Sequence, residues 1–288
     1  MSVRTATLFG LGAIVLWASL AVLTAIAQPP PFFGCAVAFG IAGLLGLAKR
    51  AIRREPLFAA WRQRPQVWAL GLYGLFGYHA CYFAALALAP PVEANLLNYL
   101  WPLLIVVFAG FLPGERLRWF HLAGAGAGLA GCVLIVGAGA GSGGFTPAQI
   151  AGYGCAFAAA VIWSSYSVLS RRFGDVPTDA VTGFCVGTAA LAAICHMLFE
   201  DAYAGTSGQW AALLSMGFGP VGLAFFVWDI GMKKGDIKAL GAASYLTPLM
   251  STGLLLIAGT GSASISLLAA CVLIVGGAVL ASKDVLFR

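Results

Sequence analysis

Charge is scarce in this chain. Only 9% of its 288 residues are Asp, Glu, Lys or Arg, against about 25% in soluble globular domains. With 61% hydrophobic residues and a mean hydropathy of +0.94, a water-soluble fold is excluded. Also missing is any Cys-x-x-Cys spacing. The seven cysteines (Cys35, Cys81, Cys132, Cys155, Cys185, Cys195 and Cys271) all fall in apolar stretches, so neither a disulfide framework nor a zinc site is supported, and they read as small buried hydrophobes. There is no nucleophile, metal cluster or pair of acids gathered near one face, which argues against an integral membrane enzyme, and no cofactor is called for.

What the chain does have is long apolar runs. A helix rising 1.5 Å per residue needs about 20 such residues to cross about 30 Å of hydrocarbon. Ten runs qualify, at roughly 8–27, 32–48, 66–88, 92–112, 119–139, 149–169, 179–199, 209–231, 237–259 and 264–282. The expected fold is an all-α membrane protein of ten transmembrane helices. With the N-terminus cytoplasmic, all 16 Lys and Arg residues fall on the cytoplasmic side, six of them in the connection "KRAIRREPLFAAWRQRP". The opposite connections ("QPPP", "PPVE", "GAGSGG", "EDAYAGTSG", "GTGSAS") hold none. This positive-inside bias places both termini in the cytoplasm, and one span more or fewer would destroy it. The formal charge of +6 therefore reports topology, and nucleic acid is not an expected partner. Ala25-Ile26-Ala27 has the small-x-small form of a signal-peptidase site, but the run before it is long for a signal peptide and the count of ten needs it retained.

The chain also repeats itself. Trp17-Ala18-Ser19 returns as Trp163-Ser164-Ser165, and Tyr99-Leu100-Trp101-Pro102-Leu103 as Tyr245-Leu246-Thr247-Pro248-Leu249, both at one offset (163 − 17 = 146, 248 − 102 = 146). "CVLIVG" at Cys132 recurs at Cys271 with a smaller offset (271 − 132 = 139), which reads as a short deletion late in the second half. Two units follow, 1–140 and 141–288, each with five spans. An odd number makes the second enter the membrane from the opposite face, giving inverted repeats of the kind that let secondary transporters alternate access to a midplane site.

The fourth and ninth spans share a defect. Proline lacks an amide hydrogen and its ring crowds the carbonyl four residues back, so Pro102 releases the Asn98 carbonyl and Pro248 that of Ser244. Each proline thus coincides with a short polar side chain (Asn98, Ser244) and a tyrosine (Tyr99, Tyr245). Such groups are costly in hydrocarbon unless they face protein or a watered cavity. Tyr78 and Tyr82, four apart on one helix face, with His79 beside them, lie near the middle of the third span, and Trp17, Trp101 and Trp163 near the middle of theirs. Tyr and Trp ordinarily collect at the membrane interfaces. A central layer of them instead describes a pocket with aromatic walls and a few polar groups.

The few intramembrane ionisable groups have local explanations. Asp229 sits one turn from Lys233, Glu93 follows Pro90-Pro91 in a helix first turn, and His79 is either a substrate contact or a neutral hydrogen-bonded side chain. Gly126-Ala127-Gly128-Leu129-Ala130-Gly131 spells G-x-G-x-x-G, but no strand precedes it. With Gly124 it reads as a close helix–helix contact.

Ten spans in two five-helix halves, Gly114-Glu115 after the fourth span and a proline in the fourth and ninth resemble the EamA-domain branch of the drug/metabolite transporter superfamily, over essentially the whole chain. Asn98-Tyr99-Leu100-Trp101-Pro102 resembles, more narrowly, the YddG-type bacterial exporters of aromatic amino acids. The resemblance implies an inner-membrane protein with a central cavity that exports Phe, Tyr, Trp and related compounds. Where a partner to Gly114-Glu115 would stand, the second half has Thr260-Gly261-Ser262. On this reading Tyr78, His79, Tyr82, Tyr99, Trp101 and Trp163 shape the pocket and stack on the substrate. Asn98, Ser244 and Tyr245 hydrogen-bond its amino and carboxyl groups, Pro102 and Pro248 set the broken geometry, and Trp17 and Ser165 enter on repeat symmetry. The partners are a small-molecule substrate, an amino acid, and the lipid bilayer; the oligomeric state stays open, a monomer being compatible with it. A broader drug or metabolite exporter is the alternative, and a receptor or scaffold would keep the fold without turnover.

Overall fold

The computed structural model describes residues 1–109, 118–139, 145–170, 173, 176–177, 179–234, 246–260, 262–281 and 283. Among them the regular structure is helical throughout, with no strand. Six stretches are long and apolar enough to cross a membrane, namely Val3–Ala27, Pro31–Ile52, Pro65–Leu88, Pro147–Leu169, Ala180–Phe199 and Ser207–Trp228. Trp119–Leu134, Leu246–Ile257 and Ile265–Gly277 are shorter apolar helices. Exposed Leu44, Val133, Met197, Phe199 and Val272 lie on the outer faces of these helices, as expected where lipid rather than water is the solvent.

Several apolar runs are not single helices. The first divides into α1 (Val3–Ala18) and α2 (Leu20–Ala27) at Ser19, whose hydroxyl donates to the Leu16 carbonyl. The second is the continuous α3 (Pro31–Ile52). The third is α4 (Pro65–Leu72), a π-helical turn (Tyr73–Gly77) and α5 (Tyr78–Leu88). The fourth is α6 (Pro91–Asn98) and α7 (Trp101–Ala109), separated by a break at Tyr99-Leu100. α8 (Trp119–Gly139), α9 (Pro147–Ser170) and α10 (Ala180–Phe199) follow. Next come α11 (Ser207–Phe218), a second π-helical turn (Gly219–Leu223) and α12 (Ala224–Lys234). α13 (Leu246–Ile257) and α14 (Ile265–Ala281) are the last two helices among the described residues.

The repeat offset of the sequence reappears in this geometry. The two π-helical turns are related by it at both ends (219 − 73 = 146, 223 − 77 = 146), as are α5 and α12 (224 − 78 = 146, 234 − 88 = 146). Two helix pairs pack on their own repeat equivalents. In α3 and α10, a Cβ at Gly40 would meet Ala189 and one at Gly43 would meet Val186, a reciprocal pair under the offset. In α8 and α14, a Cβ at Gly131 would meet Ala270 and Ile274, and one at Gly277 would meet Gly124 and Gly128, again reciprocal. In both pairs residue numbers rise along one helix as they fall along its partner, so the helices run antiparallel. Small residues let the backbones approach this closely.

These contacts correct the smaller offset inferred from "CVLIVG". α8 and α14 begin at positions related by the larger one (265 − 119 = 146), and their reciprocal glycine contacts close only under it (270 − 124 = 146, 277 − 131 = 146). The two offsets differ by nearly two helical turns, so a slipped match restores the same apolar face and looks like a repeat.

Polar ties hold α3 to α10 at both ends. Asp179, just before α10, takes Arg50 Nη1 at 2.6 Å and Lys49 Nζ at 3.2 Å. At the other end the Glu200 carboxylate accepts the backbone N–H groups of Phe32 (2.7 Å) and Phe33 (2.9 Å) and meets His196 Nδ1 at 2.9 Å. A carboxylate there complements the positive end of the α3 dipole.

Candidate functional site: an aromatic cavity between repeat-equivalent helices

A cavity of about 450 Å³ opens among α1, α5, the α6–α7 break, α9, α12 and α13. Its walls come in pairs related by the repeat offset: Trp17 with Trp163, Leu20 with Tyr166, His79 with Phe225, Tyr82 with Trp228, and Trp101 with Thr247. Tyr78, Asn98, Tyr99, Ile105, Ser167 and Pro220 complete the described lining.

Two aromatic clusters form the walls. In one, Tyr78 stacks on Tyr82 (ring centroids 5.7 Å, planes 8° apart), because residues four apart share a face of α5. Tyr78 also meets Trp163 of α9 at 5.1 Å, and Trp163 meets Tyr166 at 5.4 Å. In the other, Trp17 of α1 packs on Trp228 at 5.0 Å and Phe225 at 6.0 Å, both from α12. The α5–α9 and α12–α1 walls are thus built from helix pairs related by the repeat offset, joined by different ring pairs, since α12 has Ala224 where α5 has Tyr78.

The polar groups sit at the helix defects. His79 is buried, and its Nδ1 lies 2.8 Å from the Leu75 carbonyl inside the π-helical turn; a carbonyl only accepts, so Nδ1 carries the proton. α6 is bound to α5 by two Tyr–Asn rungs. Tyr82 Oη donates to Asn95 Oδ1 at 2.9 Å, and Asn98 Nδ2 donates to Tyr78 Oη at 3.1 Å. The first rung continues across the molecule, since Asn95 Nδ2 donates to Ser251 Oγ of α13 at 2.9 Å. The second stops at Asn98, whose Oδ1 is buried with no hydrogen-bond partner. Ser164 of α9 donates to the Trp101 carbonyl at 3.0 Å and ties the start of α7 to the wall.

Of the residues singled out in the sequence, the cavity brings together Tyr78, His79, Tyr82, Asn98, Tyr99, Trp101, Trp163 and Trp17. It does not take in Ser165, whose hydroxyl is 2.8 Å from Tyr73 Oη and bonds to carbonyls of its own helix. Repeat symmetry put Ser165 opposite Ser19, but it is neighbouring Ser164 that faces the helix break. Pro248 is buried in the first turn of α13, next to Thr247, which does line the cavity. Pro102 is the second residue of α7, where a proline ring is tolerated. Its side chain, that of Asp229, and Ser244 and Tyr245 altogether lie outside the described residues. Identity matching missed Phe225, Trp228, Tyr166 and Thr247; applying the offset to His79, Tyr82, Leu20 and Trp101 would have found them. Nothing in the sequence alone marked Asn95 or Ser251.

Helices interrupted at repeat-equivalent places around an aromatic cavity are the construction of a membrane carrier. The EamA-like transporter family model matches the chain twice, over residues 4–137 and 150–283, and the protein belongs to that family. It is a multi-pass membrane protein of a transporter family. Among curated relatives, an aromatic amino acid exporter, YddG, of Ancylobacter novellus is 53% identical over 283 residues, 98% of each chain. The Escherichia coli protein of the same name is 26% identical over 97% of each chain, and that of Salmonella typhimurium 27% over 88% of each. A solved crystal structure 53% identical in sequence matches with a TM-score of 0.74, covering 97% of this chain and 96% of that one.

Proposed function

We propose that the protein exports aromatic amino acids (Phe, Tyr, Trp) and related small amphipathic compounds across the bacterial inner membrane by alternating access. Two five-helix halves, residues 1–140 and 141–288, insert in opposite orientations with both termini cytoplasmic, and substrate binds where their defects meet. The observation that carries this reading is the cavity whose walls are drawn pairwise from equivalent positions of the two repeats. Antiparallel packing of α3 on α10 and of α8 on α14 supports the inverted arrangement. The distribution of Lys and Arg supports the orientation.

A volume of about 450 Å³ falls within the range of about 300–1,000 Å³ common to small-molecule sites. Tyr78, His79, Tyr82, Tyr99, Trp101 and Trp163, with Trp17, shape the pocket and stack on the substrate ring. Asn98, with Ser244 and Tyr245, hydrogen-bonds to the polar end, and Pro102 and Pro248 hold the breaks. In liposomes containing the purified protein, labelled phenylalanine, tyrosine or tryptophan should exchange across the bilayer, with and without a pH gradient. Tyr99→Ala or Trp101→Ala should lower flux at equal folded protein; unchanged flux in both overturns the pocket assignment.

A further inference from the structure

Given the cavity as the transport site, its polar groups differ in what they are free to bind. Asn98 is 2% exposed, borders the cavity, and donates from Nδ2 to Tyr78 while Oδ1 has no partner. A buried acceptor left unpaired is costly, and a ligand that brings a donor relieves that cost. The surroundings favour a positive donor. Tyr78, Trp163 and Tyr99 present aromatic rings, whose negative faces attract an ammonium group.

A carboxylate fares worse. Among the described lining residues there is no Lys or Arg to offset its desolvation. Two of the hydroxyls that would otherwise donate to it are committed, Tyr82 to Asn95 Oδ1 and Ser167 to the Trp163 carbonyl. The two ends of a zwitterionic amino acid are thus read unequally.

We propose that the recognised end of the substrate is its ammonium group, accepted by Asn98 Oδ1, and that the site therefore also carries primary aromatic monoamines, which lack the carboxylate. This rests on the export reading above. Removing the carboxylate deletes the group the cavity serves least and leaves the anchor in place.

The test is counterflow of labelled L-phenylalanine in proteoliposomes of the full chain, with phenethylamine and 3-phenylpropionate as competitors. Phenethylamine should compete within about threefold of unlabelled phenylalanine, and 3-phenylpropionate should need about tenfold more, the cost of one charge-assisted hydrogen bond. Labelled phenethylamine should itself exchange. No phenylalanine counterflow at all would defeat the export reading; counterflow with 3-phenylpropionate competing as well as the amine would leave that reading standing and overturn this one. Asn98→Leu, checked for folding by size exclusion, should remove the preference for amine over acid, and retention of that preference would remove Asn98 from the assignment. Should Asn98→Leu not fold, the wild-type competitor panel decides.

Discussion

Asn95 of α6 and Ser251 of α13, far apart in sequence and both fully buried, share a 2.9 Å hydrogen bond. Asn95 at the same time accepts from Tyr82 Oη, so a cavity wall in the first repeat is bound through one amide to a helix of the second. Asn95→Leu should leave two buried hydroxyls short of a partner. A double-mutant cycle of Asn95→Leu with Ser251→Ala, read as thermal stability in detergent, should give a coupling of about 0.6–1.7 kcal/mol, the range for hydrogen bonds between membrane helices. A coupling near zero would mean that the two helices are held by packing alone.

The Asp179 clamp makes a sharper contrast. Arg50 is buried, with a side chain 7% exposed, and Asp179 supplies it at 2.6 Å, whereas Glu55 is 36% exposed and 3.5 Å away. Asp179→Asn should leave the buried guanidinium with the Pro56 carbonyl and the more distant, exposed Glu55 carboxylate, and should cost about 1–3 kcal/mol. Glu55→Gln should cost at most about 1 kcal/mol, as exposed pairs do. Parallel melting curves of the two variants give the comparison, and equal losses would contradict the burial argument.

Hydropathy made the apolar runs legible, because a bilayer demands length and apolarity and little else. It was blind to interruptions, since Leu and Phe score alike in an α-helix and in the π-helical turns at Tyr73–Gly77 and Gly219–Leu223. The break at Tyr99-Leu100 was legible because proline has a steric signature, whereas Ser19 has none. Aromatic residues near the middle of a span pointed to the cavity, but Phe225 and Trp228 hid because the repeats keep bulk and not identity. Asn95 and Ser251 were unreadable for another reason: a polar pair so distant along the chain exists only once the chain is folded.

The three glycines of Gly126-Ala127-Gly128-Leu129-Ala130-Gly131 separate under the same test of space. A Cβ at Gly128 would meet Leu103 and one at Gly131 would meet Ile274, while at Gly126 nothing lies within 4 Å. Across the seam, a Cβ at Gly277 would sit 2.6 Å from the Gly124 carbonyl oxygen, and backbone cannot yield as a side chain can. Gly277→Ala should therefore destabilise by about 1–3 kcal/mol. Gly126→Ala should be neutral or stabilising by up to about 1 kcal/mol, since alanine is the better helix former. Thermal unfolding of both variants in one detergent decides it; a stable Gly277→Ala protein would show that α8 and α14 have room to separate.

Trp228 offers the most direct check on the paired construction of the cavity. It is the repeat equivalent of Tyr82, and it packs on Trp17 at 5.0 Å, as Tyr78 packs on Trp163 at 5.1 Å. If both walls touch the substrate ring, Trp228→Ala and Trp163→Ala should each lower phenylalanine exchange in liposomes by about tenfold, as expected when one ring–ring contact and its buried apolar area are lost. Trp228→Phe should restore most of that loss, because it returns a ring face without the indole N–H. Ile257→Ala, at an 85% exposed site on α13 away from the lining, should leave the rate unchanged and controls for general damage. A large effect at Trp163 with none at Trp228 would mean that the first repeat alone reads the substrate and that the second supplies only the outline of the chamber.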